Sequence, residues 1–304
     1  MKSGLPKVMH PLLGKSMLAR CLDNLKGFRK IYAVTSFGQS QVTKFLKTHY
    51  KKVGLIYQKK PLGSGDAVKC AQNLLKNFPG HLLILYADNP LFEMDTLKRL
   101  AKRHLAMDAA CTLVTANLAD PQGYGRIIRD EKNRISRIVE EEDCLDYQRQ
   151  VNEINSGIFC FKKDKLFTAL KEVHPNNRKK EFYLTDVVKI LSDSGEKVAS
   201  ITLGDIDQIQ GINSQEDLAR ANEILRRRIL KKLIEQGVTI VDPKSTYISS
   251  DAKIGQGTLI NPFCVIEEDV CIGKNCSIGP FCHLRSHTVL ADNVAVGNFT
   301  EVVR

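Results

Sequence analysis

Between Ile248 and Val302 every sixth residue is aliphatic, in one unbroken register. A period of six fits neither an α-helix, whose faces repeat every ~3.6 residues, nor a half-buried strand, whose faces repeat every two. It is typical of a left-handed β-helix, in which each six-residue side of a triangular coil points one aliphatic side chain inward. The aliphatic positions are Ile248, Ile254, Ile260, Ile266, Ile272, Ile278, Leu284, Leu290, Val296 and Val302. We therefore predict a hexapeptide β-helix and expect the chain to stop within it, with no cap after Arg304.

Two other positions of this repeat are also restricted. The residue four places after each aliphatic one is usually small, as in Thr258, Cys264, Val270, Cys276, Cys282, Thr288, Val294 and Thr300. The residue one place after it is often glycine or another turn former, as in Gly255, Asn261, Gly273, Gly279 and Gly297. We interpret the small residues as inward-facing and the glycines as turns of the coil.

The bulk properties exclude several classes of protein. A chain of 304 residues suits two domains and a large core. No apolar run approaches the ~18 residues needed to span a membrane, and the amino-terminal residues lack the apolar stretch of a secretion signal. The nine cysteines are odd in number and show no disulfide framework spacing. We expect a reduced, cytoplasmic protein that does not bind membranes.

The net charge of +11 raises the question of nucleic-acid binding. The densest basic cluster lies on a long helical pattern that begins near Ser214 and carries apolar residues at helical spacing. That cluster is Arg226, Arg227, Arg228, Lys231 and Lys232. No aromatic interleaving, zinc spacing or recognition motif accompanies it, so we interpret it as a solvated helix face and predict no nucleic-acid partner.

Residues 1–210 alternate β-rich apolar runs with amphipathic stretches, which predicts an α/β domain with a mixed sheet. The predicted strands are Ile31–Ser36, Val53–Tyr57, Leu82–Ala87, Ala110–Ala116, Ile135–Glu140, Ser156–Phe161 and Lys197–Leu203. The predicted helices include Ser16–Leu25, Gln41–His49, Ser64–Phe78, Met94–Ala106, Lys165–Val173 and Leu184–Ser192. We divide the chain into an α/β domain over 1–213, a linker helix over 214–237 and the β-helix over 238–304.

Two segments of the α/β domain are candidates for binding a nucleotide. Leu82–Asn89 is a buried strand pattern that ends in Asp88, and a carboxylate at the carboxyl end of a strand is well placed to hold Mg²⁺ against a phosphate. Gln58–Ala67 follows another strand with two glycines and opens a helix, where backbone amides can approach a base or a phosphate. An Asp that caps a turn before Pro90 explains the first segment equally well, and a plain glycine-rich helix start is the alternative for the second, which is weak evidence by itself.

Three later segments offer polar groups that suit a sugar. The turn Asp120–Ile127 presents a backbone amide, Ile138–Glu140 a carboxylate and Asn152–Ile158 a carboxamide. Each is also compatible with ordinary turn chemistry.

Taken in order, these segments and Leu5–Leu12 closely resemble a bacterial bifunctional family, the N-acetylglucosamine-1-phosphate uridylyltransferase/glucosamine-1-phosphate acetyltransferases. Gly211-Ile212-Asn213 resembles a metal-ligand motif of that family, and the hexapeptide region matches its architecture. The resemblance covers essentially the whole chain. It implies a Rossmann-like nucleotidyltransferase domain, a linker helix and a left-handed β-helix.

The resemblance also implies an activity: the oxygen of N-acetylglucosamine-1-phosphate attacks the α-phosphorus of UTP and pyrophosphate leaves, in cell-wall precursor synthesis. Mg²⁺ is the implied cofactor and a homotrimer the implied assembly. The implied roles are phosphate neutralisation and catalysis by Lys7, metal binding by Asp88 and Asn213, uracil binding by Gln58, Gly63 and Ser64, and sugar binding by Gly125, Glu140 and Asn155. Arg285 matches a sugar-phosphate position of the acetyltransferase site.

The chain also departs from the family pattern. Family domains open with a strand and a glycine-rich loop, whereas Met1 falls where that loop ends. We expect a start assigned too late or a degraded gene, and a chain that is poorly active and poorly stable because the absent strand leaves buried backbone groups unpaired. Ala87 replaces a usual Gly, and Glu142 replaces a common Lys near the sugar phosphate. The acetyltransferase base lies in later coils, so we expect no acetyl transfer, and we interpret His283 and His287 as coil-surface side chains.

Two other functions fit the same residues. One is another sugar-1-phosphate nucleotidyltransferase with a different base or sugar. The other is an inactive remnant whose β-helix serves as an oligomerisation scaffold. Retention of Lys7, Asp88, Glu140 and Asn213 argues against the remnant, because drift without selection should have damaged some of them.

Overall fold

The structure is a computed structural model that describes residue 1 and residues 3–303, and these form two compact units. One unit holds Ser3–Val8 and Cys21–Gln210 and is called the α/β unit. The other holds Met1, Met9–Arg20 and residues 211–303 and is called the coil unit. No pattern in the sequence predicted that Met9–Arg20 would group with the carboxyl-terminal half of the chain.

The regular elements up to the long helix follow the predicted alternation. The strands are β1 (Pro11–Leu12), β2 (Lys15–Ser16), β3 (Tyr32–Ser36), β4 (Gly54–Gln58), β5 (His81–Ile84), β6 (Cys111–Asn117), β7 (Arg126–Arg129), β8 (Ile135–Val139), β9 (Glu153–Lys162) and β10 (Val198–Leu203). The helices are α1 (Met17–Asp23), α2 (Ser40–His49), α3 (Ser64–Lys69), α4 (Met94–Met107), α5 (Asp146–Arg149), α6 (Lys163–Ala169), α7 (Asp186–Asp193) and α8 (Gln215–Glu235).

Strand β9 organises the main sheet of the α/β unit. It pairs antiparallel with β5, β6 and β7, while β10 adds to β6 in parallel and β8 adds to β7 antiparallel. Successive side chains of β9 enter two different cores: Phe159 and Phe161 pack in one, and Ile158 and Cys160 pack in the other. The predicted mixed sheet is therefore confirmed, with helices able to cover both faces.

The described strands of the α/β unit are divided between this main sheet and a second, two-stranded sheet. β3 and β4 pair in parallel with each other, and within the described residues neither pairs with the main sheet. The aliphatic residues Leu82, Leu83 and Ile84 of β5 are only half-buried, whereas most of β6 is fully buried.

The helix predicted over Ser64–Phe78 ends early. Regular α-helix stops at Lys69, and the chain continues as tight turns with bonds from Ala71 N to Val68 O and from Phe78 N to Leu75 O. Ala71 and Leu75 are still buried in the core. Their four-residue spacing therefore reflects burial of one face without a continuous helix. The strand predicted over Leu82–Ala87 also ends early, at Ile84.

The coil unit confirms the period of six. Its two-residue strands are β11 (Thr239–Ile240), β12 (Tyr247–Ile248), β13 (Lys253–Ile254), β14 (Leu259–Ile260), β15 (Val265–Ile266), β16 (Cys271–Ile272), β17 (Ser277–Ile278), β18 (His283–Leu284), β19 (Val289–Leu290), β20 (Ala295–Val296) and β21 (Glu301–Val302). They stack in parallel as three sheets, β11-β14-β17-β20, β12-β15-β18-β21 and β13-β16-β19. The second residue of nearly every strand is buried, so the aliphatic positions fill the coil as predicted.

The corners of the coil do not fall where the sequence predicted. The left-handed backbone conformation recurs three residues after the aliphatic position, at Gly257, Phe263, Asp269, Asn275, Phe281, His287, Asn293 and Phe299, and it occurs one residue after that position only at Gly279 (φ +76°). Gly255 and Gly273 have no positive φ. A Cβ on Gly255 would lie 2.6 Å from the Gly273 backbone, and a Cβ on Gly273 would lie 2.5 Å from Asp292 N. These glycines are therefore required by the close approach of adjacent coils.

Helix α8 joins the coil through its apolar side. Ser214 and Asp217 form a reciprocal capping box at its start, and Leu218, Leu230 and Leu233 are buried. In the basic cluster, the guanidinium carbon of Arg226 lies 5.1 Å from the ring centroid of Tyr247, which is a cation–π contact.

Two bulk predictions can be compared with the structure. All nine cysteines lie within the described residues and are free. Among residues 1 and 3–303, no helix is both long and apolar enough to cross a membrane.

Candidate active site

Lys7 and Asp88 meet in the α/β unit, although they are far apart in sequence. The Nζ atom of Lys7 lies 2.6 Å from Oδ2 of Asp88, and about a third of each side chain is exposed. Asp88 follows β5 in a turn, at the carboxyl end of a strand in an open sheet, where ligands bind in such folds. Lys7, predicted to neutralise phosphate charge, and Asp88, predicted to bind the metal, therefore lie side by side at an accessible position.

Buried polar groups support the turn that carries Asp88. The Sγ atom of Cys21 lies 3.5 Å from the carbonyl oxygen of Ala87, and the Nδ2 atom of Asn89 donates to the carbonyl oxygen of Ser156 at 3.5 Å. Burial and the neighbouring Asp88 charge raise the pKa of Cys21, so this thiol stays protonated. Ala87, where the family usually has Gly, is accommodated in this turn.

Asn213, the second predicted metal ligand, belongs to the coil unit. Its backbone N–H donates to Oδ2 of Asp217 at 3.0 Å, immediately before α8. Its predicted partnership with Asp88 stays a prediction.

The predicted base-binding segment is held from both sides. Gln58 is buried at the end of β4, and its Nε2 atom donates to the carbonyl oxygen of Gly63 at 3.1 Å and to Oδ2 of Asp66 at 2.8 Å. Gly63 has φ +115°, and a Cβ there would lie 2.6 Å from the Phe182 carbonyl oxygen. Ser64 Oγ accepts from Leu184 N at 3.0 Å. Both of these side-chain hydrogen bonds of Gln58 use Nε2, which fixes the orientation of its carboxamide.

The predicted sugar-binding residues converge. A Cβ on Gly125 would lie 3.2 Å from Oε2 of Glu140, so only glycine fits comfortably between this carboxylate and the turn. The Gly125 carbonyl oxygen accepts from Asn155 N at 2.8 Å, and Asn155 Oδ1 accepts from Gly157 N at 3.1 Å. Three segments that the sequence could only align in order thus meet at one place.

Thr185 is a residue of this site that the sequence analysis missed. Its hydroxyl donates to Oε1 of Glu140 at 2.8 Å, and it is buried. Burial raises the pKa of Glu140, although the Thr185 hydrogen bond and the Lys179 charge lower it in part. Burial and the Glu140 charge also raise the pKa of the adjacent Asp186 to about 6. The sequence analysis placed Thr185 inside the helix predicted over Leu184–Ser192, whereas the helix begins at Asp186, and nothing nearby in the sequence indicated its contact with Glu140.

Tyr86 links the two halves of the site. Its ring lies against Gly157, where a Cβ would approach within 2.4 Å, and its hydroxyl lies near Ser64. Burial raises its pKa to about 12, so the hydroxyl remains protonated near neutral pH. Tyr86 therefore connects the base-binding segment to the strand that carries Asn155.

The other noted positions lie on surfaces. Glu142, the departure from the family Lys, forms a half-exposed ion pair of 2.9 Å with Lys179. In the coil unit, Arg285 donates to Glu301 at 2.6 Å and to Glu267 at 3.2 Å. The Nε2 atom of His283 lies 2.8 Å from Glu267. His287, in contrast, is well exposed.

The donor set near Asp88 fits a magnesium ion that is held largely by substrate. No group of three or more His, Cys, Asp or Glu side chains that could hold a metal occurs in the described part of the chain. Mg²⁺ in phosphate-transfer sites typically uses one or two protein carboxylates and takes its other ligands from phosphates and water. A partly exposed carboxylate at a strand end, as at Asp88, is compatible with this chemistry.

Comparisons with known proteins agree with this geometry. The nucleotidyl transferase family model matches residues 2–229, and the bacterial transferase hexapeptide model matches residues 251–286. The bifunctional protein GlmU of Halalkalibacterium halodurans is 39% identical over 264 residues, covering 86% of this chain and 57% of that protein. The same-named protein of Clostridium botulinum (strain Kyoto / Type A2) is 40% identical over 271 residues, covering 88% of this chain and 58% of that protein. The chain thus spans somewhat over half the length of the curated relatives it matches.

Solved structures share the fold at low sequence identity. A UDP-glucose pyrophosphorylase complexed with UDP-glucose matches with a TM-score of 0.58 and 16% identity, over 74% of this chain and 91% of that one. HddC from Yersinia pseudotuberculosis matches with a TM-score of 0.54 and 20% identity, over 74% of this chain and 92% of that one. The fold, the hexapeptide repeats and the family match over most of the sequence lead to one conclusion: this chain belongs to the nucleotidyl transferase family.

Proposed function

We propose that this protein transfers a uridylyl group from UTP to N-acetylglucosamine-1-phosphate, giving UDP-N-acetylglucosamine and pyrophosphate. The observation that carries the proposal is the convergence of Gly125, Glu140 and Asn155 in the same unit as the Lys7–Asp88 pair. Sequence similarity to the GlmU proteins supports the choice of base and sugar.

The sugar would be held by complementary polar groups. Glu140 is a partly buried carboxylate that can accept from sugar hydroxyls, while the Oδ1 atom of Asn155 already accepts from Gly157 N and leaves the Nδ2 group to donate to the sugar. A buried polar group that loses its ligand partner is penalised. Such a site therefore favours a sugar that carries both hydroxyl and amide groups over one that lacks the amide.

The base would lie against the segment that begins at Gln58. Because Asp66 and Gly63 both engage Nε2, the carboxamide is held in one orientation and its oxygen serves as an acceptor. Uracil offers an imide N–H to such an acceptor, whereas cytosine at the same ring position does not. Gly63 and Ser64 would contact the same base.

Lys7 and Asp88 would handle the phosphate charge. Lys7 can neutralise negative charge on the nucleotide phosphates, and the partly exposed Asp88, with Asn213 as a proposed second ligand, would hold Mg²⁺. When bound, the metal would supply Lewis-acid stabilisation of the phosphoryl oxygens. Lys7 would exchange its Asp88 contact for phosphate contacts when substrate binds.

The chemistry needs no covalent intermediate with the protein. The sugar-phosphate oxygen forms a bond to the α-phosphorus of UTP as the bond to pyrophosphate breaks. The contribution of the chain is to align the two substrates and to place positive charge where negative charge develops. We also propose the domain division 1–213, 214–237 and 238–304, with the hexapeptide coil assembling three copies.

Pyrophosphate release with N-acetylglucosamine-1-phosphate and Mg²⁺ tests the proposal. UTP, CTP, ATP and GTP are compared, and glucose-1-phosphate replaces the amino sugar in a parallel series. We expect release with UTP to exceed the other nucleotides by at least about tenfold and the amino sugar to be preferred. Equal rates for all bases would instead indicate a different nucleotidyltransferase.

Binding provides a readout that does not depend on turnover. Calorimetry with UDP-N-acetylglucosamine should show weakened binding for Glu140→Gln but not for Glu131→Gln, an exposed carboxylate in the β7–β8 turn. If the unaltered protein neither binds this product nor releases pyrophosphate, the scaffold hypothesis replaces the enzyme.

A further inference from the structure

Glu141, the neighbour of the proposed sugar-binding Glu140, is the centre of a charged network. Its Oε2 atom accepts from Arg126 Nη2 at 2.7 Å and from the backbone N–H of Gly123 at 3.1 Å. Its Oε1 atom accepts from Nη1 of Arg149. One carboxylate therefore joins the turn before β7, the strand β7 itself and the short helix α5.

Arg126 makes this network unusual, because its side chain is only 2% exposed. Its Nη1 atom also donates to the carbonyl oxygen of Tyr124, while its Nε atom is buried without a hydrogen-bond partner. A buried guanidinium is strongly destabilising unless an anion pairs with it. Glu141 supplies that anion. Its carboxylate also accepts from Gly123 N, so the position of the turn before β7 depends on the ionised form of Glu141.

The charge state of Glu141 fits this role. Burial acts to raise its pKa, but the hydrogen bonds from Arg126 and Gly123 and the charges of both arginines outweigh that effect and lower it. The carboxylate thus remains ionised near neutral pH and keeps its bonds to Arg126 and Gly123.

We propose that Glu141 is a positioning residue for sugar-phosphate binding: together with Arg126 it holds the Gly123–Gly125 turn against the Glu140 carboxylate. The link is direct, because Glu141 accepts from the backbone N–H of Gly123 at one end of the turn, and at the other end Gly125 lies so close to Glu140 that a Cβ would be only 3.2 Å from Oε2. Gly125 in turn fixes Asn155 through its carbonyl oxygen. Glu141 itself need not touch substrate. This inference rests on the proposed function.

Steady-state kinetics of the Glu141→Gln protein test it. Glutamine keeps the shape but removes the charge that balances Arg126. We expect KM for N-acetylglucosamine-1-phosphate to rise about tenfold, while KM for UTP and kcat change by less than about twofold. Arg149→Met, which removes only the outer arginine, should raise the same KM by a smaller factor. Glu131→Gln is the matched control because it removes an exposed carboxylate from the turn after β7.

The outcomes separate the two proposals. An unaltered protein that releases pyrophosphate, with a Glu141→Gln variant whose sugar-phosphate KM is unchanged, overturns the positioning role alone. Equal changes in both KM values and kcat together with a lower Tm would assign Glu141 a general structural role and also overturn it. An unaltered protein without activity or product binding overturns the proposed function and, with it, this inference.

Discussion

The coil unit and the α/β unit obtain their key contacts in opposite ways. In the coil, residues that stack are separated by 18 positions, and the same separation recurs from one coil to the next. In the α/β unit, Lys7 meets Asp88 across 81 positions and Thr185 meets Glu140 across 45. A fixed separation leaves a period in the sequence, whereas contacts made by tertiary folding leave none.

This difference has a consequence for how each unit responds to change. Each coil of a solenoid contacts mainly its neighbours, so damage should stay local and should scale with the number of stacked partners lost. The site of the α/β unit depends on single residues with unique partners. Damage there should remove function while leaving stability nearly unchanged.

Of all the substitutions, Asp88→Asn should give the largest effect on activity. A large effect on stability would contradict the difference between the two units. We expect the rate of pyrophosphate release to fall by roughly 10²–10³-fold, because the metal-binding charge is lost. The urea midpoint should hardly move, since about a third of this side chain is exposed. Asp95→Asn, an exposed carboxylate on α4, is the control and should retain full activity. A comparable loss of stability would mean that Asp88 holds the turn together.

Ile278→Ala should produce the largest loss of stability in the coil. Ile278 is completely buried at β17, and truncation of a buried isoleucine costs about 2–5 kcal/mol through lost burial and the cavity left behind. Urea unfolding followed by circular dichroism measures this loss. Ile234→Ala on the exposed side of α8 should cost less than about 0.5 kcal/mol. If both variants lose the same stability, the inward register of the coil is wrong.

Acid should affect the α/β unit before the coil. His104 is buried, with Nε2 2.9 Å from His81 Nδ1 and Nδ1 2.9 Å from Thr112 Oγ1. Burial, then the charges of His81 and Lys162, lower its pKa from 6.5 to about 4, although Asp108 opposes this. The folded state therefore binds fewer protons than the unfolded chain. The stabilisation by neutral His104 is complete above pH 6.5 and is lost as the pH falls towards 4.

Unfolding of the unaltered protein and of His104→Gln at pH 7.5, 5.5 and 4.5 measures this contribution. The difference in unfolding free energy between the two should shrink as the pH falls. The raised pKa of Asp186 acts in the opposite sense, and the paired comparison cancels it because both proteins contain Asp186. In the coil, hydrogen bonds from Ser286, His283 and Arg285 lower the pKa of Glu267 to about 2, so its contribution is present above 4.5 and is lost only towards pH 2. A pH-independent difference would contradict the prediction.

The smallest expected effect concerns the aromatic stack on one corner of the coil. The ring centroid of Phe281 lies 4.7 Å from that of Phe263 and 4.9 Å from that of Phe299, and the rings are nearly parallel. Phe281→Ala removes both ring contacts and should cost about 1 kcal/mol, whereas Phe299→Ala removes one and should cost about half as much. Urea unfolding of each variant gives the ratio. Equal losses would show that the effect does not scale with the number of stacked partners.

What could be predicted follows the same division. The aliphatic register of the coil was correct at each buried strand, because one inward position per side is enough to establish it. Apart from Gly279, the corners were misassigned, since Phe, Asp, Asn, His and Gly occupy them and share no side-chain property. The glycines that suggested turns are instead required where Gly255 and Gly273 approach adjacent coils.

In the α/β unit, local patterns predicted most strands and helices but not their assembly. The separate pairing of β3 with β4 depends on which strand lies next to which, and no strand pattern encodes that by itself. Lys7, Gly125, Glu140 and Asn155 were assigned through family resemblance, and the structure brings the last three together. Thr185 and Glu141 were not recognised as important, because their partners become neighbours only after folding.

The 18-residue stacking repeat also restricts how such a chain can change in length. Loss of a single codon within the coil would shift every later residue by one position, so that aliphatic side chains would face solvent and the next residue along would enter the interior. Gain or loss of a complete coil would leave every remaining position in its place. Length variation among related coils should therefore occur in whole turns, whereas loops such as the β7–β8 hairpin should vary one residue at a time.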